Sequence, residues 1–153
     1  MTLVERGGRA RSVHVDRINS ATIMQILMRH ADRESALHTD EAPLYRRPGR
    51  TMAEHDSVNH RAEEYARYEK TKDGKEKLIT TNTVESYFSV FKRGMRGTYQ
   101  HCSEKYLQRY LSEFDFRYSN RAALGVDDAE RTTRAIRGAT GRRLLYRQPR
   151  RIA

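Results

Sequence analysis

Thr81-Asn82-Thr83-Val84-Glu85-Ser86-Tyr87-Phe88-Ser89-Val90-Phe91-Lys92-Arg93 is the stretch on which the fold turns. Val84, Phe88, Phe91 and Met95 recur at helical spacing, which predicts a helix from about Thr83 to Gly94 or Met95 with that stripe facing the core. Glu85 and Lys92 lie seven residues apart, close to two turns, and so project from one side of the helix. They fall on one flank of the stripe, with Ser89 and Arg96 beside them. That border between core and solvent can hold a side chain firmly and still let it reach a ligand. A Glu and a Lys on one helix commonly make a solvated ion pair. In a strongly basic chain they also suit an acid that holds a metal and a base that holds a phosphate.

Working outward, Ser103 is expected to cap a second long helix striped by Tyr106, Leu107, Tyr110, Leu111, Phe114 and Tyr118. Aromatics at this spacing read first as core packing, and otherwise as a surface on which bases stack. Upstream, Leu3 to Arg6 and Arg9 to Val15 flank Gly7-Gly8 and predict a tight hairpin. Asn19 or Ser20 caps a helix to about Ala31, with Ile23, Ile26, Leu27 and His30 as its buried stripe. Ala36 to Thr39 is a short strand that runs directly into Asp40-Glu41, and Ser57-Val58-Asn59 is another strand candidate. Pro43 and the run Arg46 to Arg50 predict a loop or short helix. Residues 61–74 are polar and predict an exposed, mobile segment. The strands and helices together give a mixed α/β class.

The chain has 153 residues, enough for one domain with a real core, and 37% of them are hydrophobic. Its 30 Lys and Arg outnumber 20 Asp and Glu, a net charge of +10 that favours a polyanionic partner, most often nucleic acid. Arginines crowd the segment after Gly125, among them Arg142 and Arg143. That segment is expected to be a frayed helix or disordered tail that holds phosphates without reading sequence. The single cysteine, Cys102, excludes an intrachain disulfide framework and a cysteine-rich zinc site. No apolar run approaches the roughly 18 residues of a membrane span. No apolar signal-peptide core occupies the first residues. The expected location is the reducing cytosol.

Cleavage or transfer of a phosphodiester is assisted by divalent ions at the scissile phosphate, two of them about 3.5–4 Å apart in two-metal sites. Magnesium takes hard oxygen ligands, hence Asp and Glu. Asp40 sits at the C-terminal end of a predicted strand, where ligands gather in open α/β sheets, and Glu85 follows on the later helix. Each signal alone is weak. An Asp after a strand is usually a turn or cap residue. A His55-x4-His60 zinc site is unsupported when the one cysteine lies far away.

Taken together the motifs resemble a family. Leu37-His38-Thr39-Asp40-Glu41 with Tyr45, then His55, Val58 and His60, is similar to the ISXO-like transposases of bacterial insertion sequences. So are Thr81 to Ser86 with Phe91-Lys92-Arg93, Gly97-Thr98-Tyr99, and Tyr110 to Tyr118. That family is a branch of the DDE superfamily. The resemblance covers roughly residues 3–121 and implies a ribonuclease-H-like core, with 122–153 as a basic arginine-rich C-terminal tail. It implies magnesium or manganese as cofactor, two ions in an intact site, and DNA as partner, both insertion-sequence ends and target. By motif match, Asp40 becomes the second acid, Glu85 the third, and Lys92 the base seven positions on, with Asn82 as backup metal ligand. Lys92, Arg93, Arg96, Arg142 and Arg143 are the expected DNA contacts. His55 and His60 match family positions without an assigned role.

The chain also departs from the family. The first acid belongs to a strand before the hairpin, and the chain opens on the strand after it; Asp16, beyond the hairpin, is a poor substitute. The family's N-terminal DNA-binding segment is likewise expected to lie outside this sequence. The expectation is therefore a truncated transposase, with Met1 an internal methionine, weak or inactive in strand transfer alone. The alternative is a non-catalytic basic DNA-binding or regulatory protein that co-assembles with full-length transposase, as homo-oligomer or mixed assembly. A third reading is a metal nuclease that completes its site with Asp16.

Overall fold

The computed structural model describes residues 1–71 and 73–142. Contacts divide the chain into two compact units, Met1–Ser119 and Asn120–Ala153. The first is mixed α/β.

It opens with the expected hairpin. β1 (Thr2–Val4) and β2 (Ala10–Ser12) pair antiparallel around a turn in which Gly7 takes φ 68. Helix α1 (Ser20–His30) is capped by Asn19, whose Oδ1 accepts the Thr22 N–H at 2.9 Å. Ile23, Ile26 and Leu27 are buried as expected, but His30 is exposed. His30 lies in the last turn beside Arg29, where a basic side chain meets the negative end of the helix dipole.

β3 (Ala36–Asp40) pairs in parallel with β4 (Glu54–Val58), and a 3-10 turn (Pro43–Tyr45) and the short helix α2 (Arg46–Gly49) make the crossover. Asp40 is the last residue of β3, opposite the fully buried Val58. His55 explains why Gly49 is a glycine: a Cβ there would collide with the His55 ring, whose Nε2 lies 2.9 Å from Thr39 Oγ1. Burial lowers the pKa of His55.

Over its described residues the segment 61–74 is mostly exposed, as its composition predicts, but it is not without regular structure. It contains β5 (Ala66–Lys70), which pairs antiparallel with β6 (Glu76–Thr80). Its charges mislead because those on one face are satisfied. Arg67 Nη1 donates to Ser57 O at 2.6 Å and the guanidinium also meets Glu64 and Glu69, while Lys77 pairs with Glu54 and Asp56.

Helix α3 (Asn82–Gly94) runs into a π-helical turn (Met95–Tyr99) and is followed by α4 (Glu104–Ser119). The two helices meet through edge-to-face rings: Tyr87 with Tyr118, Phe91 with Phe114, and Tyr99 with Tyr110, at 5.5, 5.0 and 4.7 Å between centroids. These aromatics are packing, as the first reading had it. Val84, Phe88, Phe91 and Met95 are only half-buried; the buried residue of α3 is Tyr87. Its hydroxyl donates to Asp115 Oδ1 at 2.7 Å and lies 3.0 Å from Ser12 Oγ, which ties α3, α4 and the hairpin together. Ser103 precedes α4, but its hydroxyl is buried without a hydrogen-bond partner and so does not cap the helix.

In the second unit, the frayed or disordered tail is replaced, over its described part, by helix α5 (Asp128–Ala139). Asp127 caps it by accepting the Glu130 N–H at 2.8 Å, and Arg131 and Arg134 pair with Asp128 and Glu130. Among the described residues, no helix is long and apolar enough to cross a membrane.

Candidate metal and nucleic-acid site

Two elements supply the acids. Strand β3 ends on Asp40, which turns the chain by accepting the Ala42 N–H on Oδ1 at 3.0 Å. Among the described residues its Oδ2 has no hydrogen-bond partner. Asp40 also sits near Tyr45, whose hydroxyl pKa is raised first by burial and then by the Asp40 charge. Glu85 stands in the first turn of α3, about half-exposed, and its Oε1 accepts from Thr81 Oγ1 at 2.6 Å. Its Oε2 is likewise free of hydrogen bonds among the described residues. The position is favourable for a carboxylate, because the N-terminal turn carries the positive end of the helix dipole. Asn82, three residues before Glu85, is exposed on the same turn.

His60 joins the two acid-bearing elements. Its backbone N–H donates to Glu41 Oε2 at 3.2 Å, on the residue that follows Asp40. Its Nε2 lies 3.1 Å from Thr81 Oγ1 and 3.3 Å from Glu85 Oε1. Since Thr81 donates its one hydroxyl proton to Glu85, it can only accept from His60, which places the imidazole proton on Nε2. A ring edge of Tyr65, 5.5 Å away, backs the imidazole. His60 is thus the site residue whose role sequence reasoning missed; its motif position was the one available signal. His55 Nε2 is engaged by Thr39 and His60 Nε2 by Thr81, so the two histidines do not converge as zinc ligands. Glu41, the neighbouring acid, is occupied by the His60 N–H and by Arg61 at 3.6 Å.

At the other end of α3, Lys92, Arg93 and Arg96 are exposed. With Ser89 and Gly97 they line an open groove of about 580 Å³. Among the described residues none of these three cations makes a hydrogen bond or ion pair. Glu85 and Lys92 are therefore not partners: the acid is held by Thr81 and His60, and the amine is left available. Arg142 is exposed near the end of the described part of the second unit. Arg143 lies outside the described residues.

Asp16 is placed elsewhere. It groups with His14 and Glu104, ligand atoms within 4.8 Å of one another, at the start of α4. Tyr87, two residues from Glu85, contacts α4 at Asp115 and Tyr118. Eleven residues of helix separate Glu104 from Asp115, about 16 Å of rise. Asp16 is thus too far along α4 to complete a site with Glu85.

On this α/β scaffold, carboxylate oxygens stand at one end of α3 and, among the described residues, unpaired cations at the other. Residues 1–119 match the ISXO2-like transposase domain, and the chain belongs to that family. Divalent metal and DNA are general requirements of such transposases. No curated protein and no solved structure matches the chain.

Proposed function

We propose that the chain acts on DNA as an insertion-sequence transposase, gripping the sugar–phosphate backbone with Lys92, Arg93 and Arg96 and holding metal with Asp40 and Glu85. The observation that carries this reading is the division of labour along α3: Glu85 is held by Thr81 and His60, while Lys92, Arg93 and Arg96 line one groove unpaired.

The donor set fits magnesium or manganese. Asp40 and Glu85 each have one oxygen engaged and one free, and Asn82 offers a neutral oxygen on the same turn as Glu85. A pair of such ions, when bound, would stabilise the attacking and leaving oxygens of phosphodiester cleavage and strand transfer. The residues of the chain do the positioning. His60 fixes the Glu85 carboxylate through Thr81 and ties it to the end of β3. Lys92 and its neighbours neutralise phosphates, a contribution that weakens with salt. Two carboxylates at this site are fewer than a two-ion centre calls for, so the chain on its own should be weak or inactive in strand transfer. Insertion-sequence ends and target DNA are the proposed partners, and assembly with further transposase copies is the setting in which the activity would be complete.

The test joins a binding and a cleavage assay. Binding to duplex DNA should weaken steeply as salt rises, and Lys92→Ala should reduce it. Any manganese-dependent nicking of a terminal-repeat substrate should vanish in Asp40→Ala and Glu85→Ala. No DNA binding at moderate salt sinks the proposal. So does nicking that survives both substitutions.

A further inference from the structure

Gly97 lines the basic groove, yet nothing in the fold asks for a glycine there. Gly94, one turn earlier, is required by packing: an added Cβ would lie 2.5 Å from Phe114 Cζ. Gly74 and Gly125 take φ 75 and 74, where other residues are strained. Gly97 has neither reason. Its backbone is outside the left-handed region, and no heavy atom of the described residues lies within 4 Å of an added Cβ. A glycine in a helical turn is otherwise a loss, because it weakens the helix relative to alanine. The turn itself is irregular. Met95–Tyr99 is π-helical, and it closes on Gln100 at φ 56, a strained angle for a residue with a side chain. π-Turns and stored backbone strain both concentrate at ligand sites.

We infer that Gly97 is the point at which a DNA phosphodiester backbone approaches the protein most closely. The bare Cα is part of the groove's lining. Lys92, Arg93 and Arg96 stand around it and supply the charge. A side chain at this position would occupy the volume that the sugar–phosphate takes. The inference rests on the DNA reading of the groove and adds to it a specific steric contact.

The test is Gly97→Ala in the full chain, with a short random-sequence duplex as probe, followed by fluorescence anisotropy at several salt concentrations. The melting temperature should stay the same or rise, while affinity falls about tenfold. The slope of log affinity against log salt should be unchanged, since no charge is removed. Gly97→Leu should bind more weakly still. Lys92→Ala, in contrast, should weaken binding and make the slope shallower by about 0.9. Wild-type affinity in Gly97→Ala overturns the inference, and so does a marked fall in its melting temperature, which would return the glycine to a structural role. If Lys92→Ala also binds as wild type, the DNA reading of the groove falls with it.

Discussion

Asp115→Ala should unfold the first unit more readily than any single change at the acids or cations of the site. The Asp115 carboxylate accepts three hydrogen bonds: from the Ser12 N–H at 2.6 Å, from Ser12 Oγ at 2.8 Å and from the Tyr87 hydroxyl at 2.7 Å. Hydrogen bonds to a charged group contribute about 1.5–3 kcal/mol each. The sum overstates the loss, because Ser12 Oγ and the Tyr87 hydroxyl, already 3.0 Å apart, can still serve each other. The net cost of Asp115→Ala is about 4 kcal/mol, much of a total stability of about 5–15 kcal/mol. For a unit of this size that lowers the melting temperature by about 15 °C. Tyr87→Phe removes one donor and leaves Asp115 with both Ser12 bonds, so it should cost only about 1.5–2 kcal/mol. Asp115→Asn separates charge from packing. Both carboxylate oxygens accept, Oδ2 from the Ser12 N–H and Oδ1 from the two hydroxyls, and an amide offers only one oxygen. The near-isosteric variant can still take the Ser12 N–H on its oxygen and donate its amide to the two hydroxyls, so it should lose less than Asp115→Ala but, without the charge, stay less stable than wild type. Urea and thermal unfolding followed by far-ultraviolet circular dichroism measure all three. An Asp115→Asn variant as stable as wild type, or a Tyr87→Phe loss equal to that of Asp115→Ala, would refute the reasoning.

Gly94→Ala should destabilise by about 1–3 kcal/mol in a thermal melt, because the new methyl overpacks the contact with Phe114; Gly94→Ala with Phe114→Leu should recover part of the loss. Stability should also fall as pH drops below 6.5, the ordinary histidine value. Burial lowers the pKa of His38, with Arg6 next in effect, and burial lowers that of His55. Below 6.5 the unfolded chain takes up protons that the folded chain still refuses, so unfolding gains until the lowered folded pKa values are reached. Urea midpoints against pH should flatten in His55→Gln, and an unchanged acid slope in that variant would contradict the assignment.

What could be read from the residues depended on whether their partners were near in sequence. The N-cap of α1 and the strand ahead of Asp40 were legible because cap, stripe and turn residues are neighbours. The spacing of Glu85 and Lys92 was legible because α3 is one uninterrupted helix. Tyr87 was missed as the buried centre of α3 because the partners that satisfy its hydroxyl, Ser12 and Asp115, are 75 and 28 residues away. Strand β5 was hidden in the same way: Arg67, and Lys77 on the paired strand β6, look solvated until Ser57 and Asp56 are brought up to them. The arginine-rich segment concealed a helix because its start signal, Asp127 with Glu130, lies among charges that suggest disorder.

The charge order of α3 has an ordinary explanation that must be weighed against the functional one. An acid in the first turn and Lys92 and Arg93 in the last both complement the helix dipole, so some of this pattern would arise in any stable helix. Dipole compensation fades within the last turn, however, and it does not account for Arg96 on the π-turn beyond it or for a groove that Gly97 helps to line. Nor does it account for Glu85 being held by Thr81 and His60, when a free carboxylate would serve the dipole equally well. The buried Tyr87 fixes the helix between these two ends, anchored to Asp115 and Ser12. The acid and the amine are seven residues apart, about 10 Å along one rigid rod. Under the proposed roles, α3 would set the distance between a metal-side carboxylate and a phosphate-side cation. Loosening the Tyr87 anchor should therefore disturb DNA cleavage and DNA binding together, although neither Tyr87 nor Asp115 lines the groove.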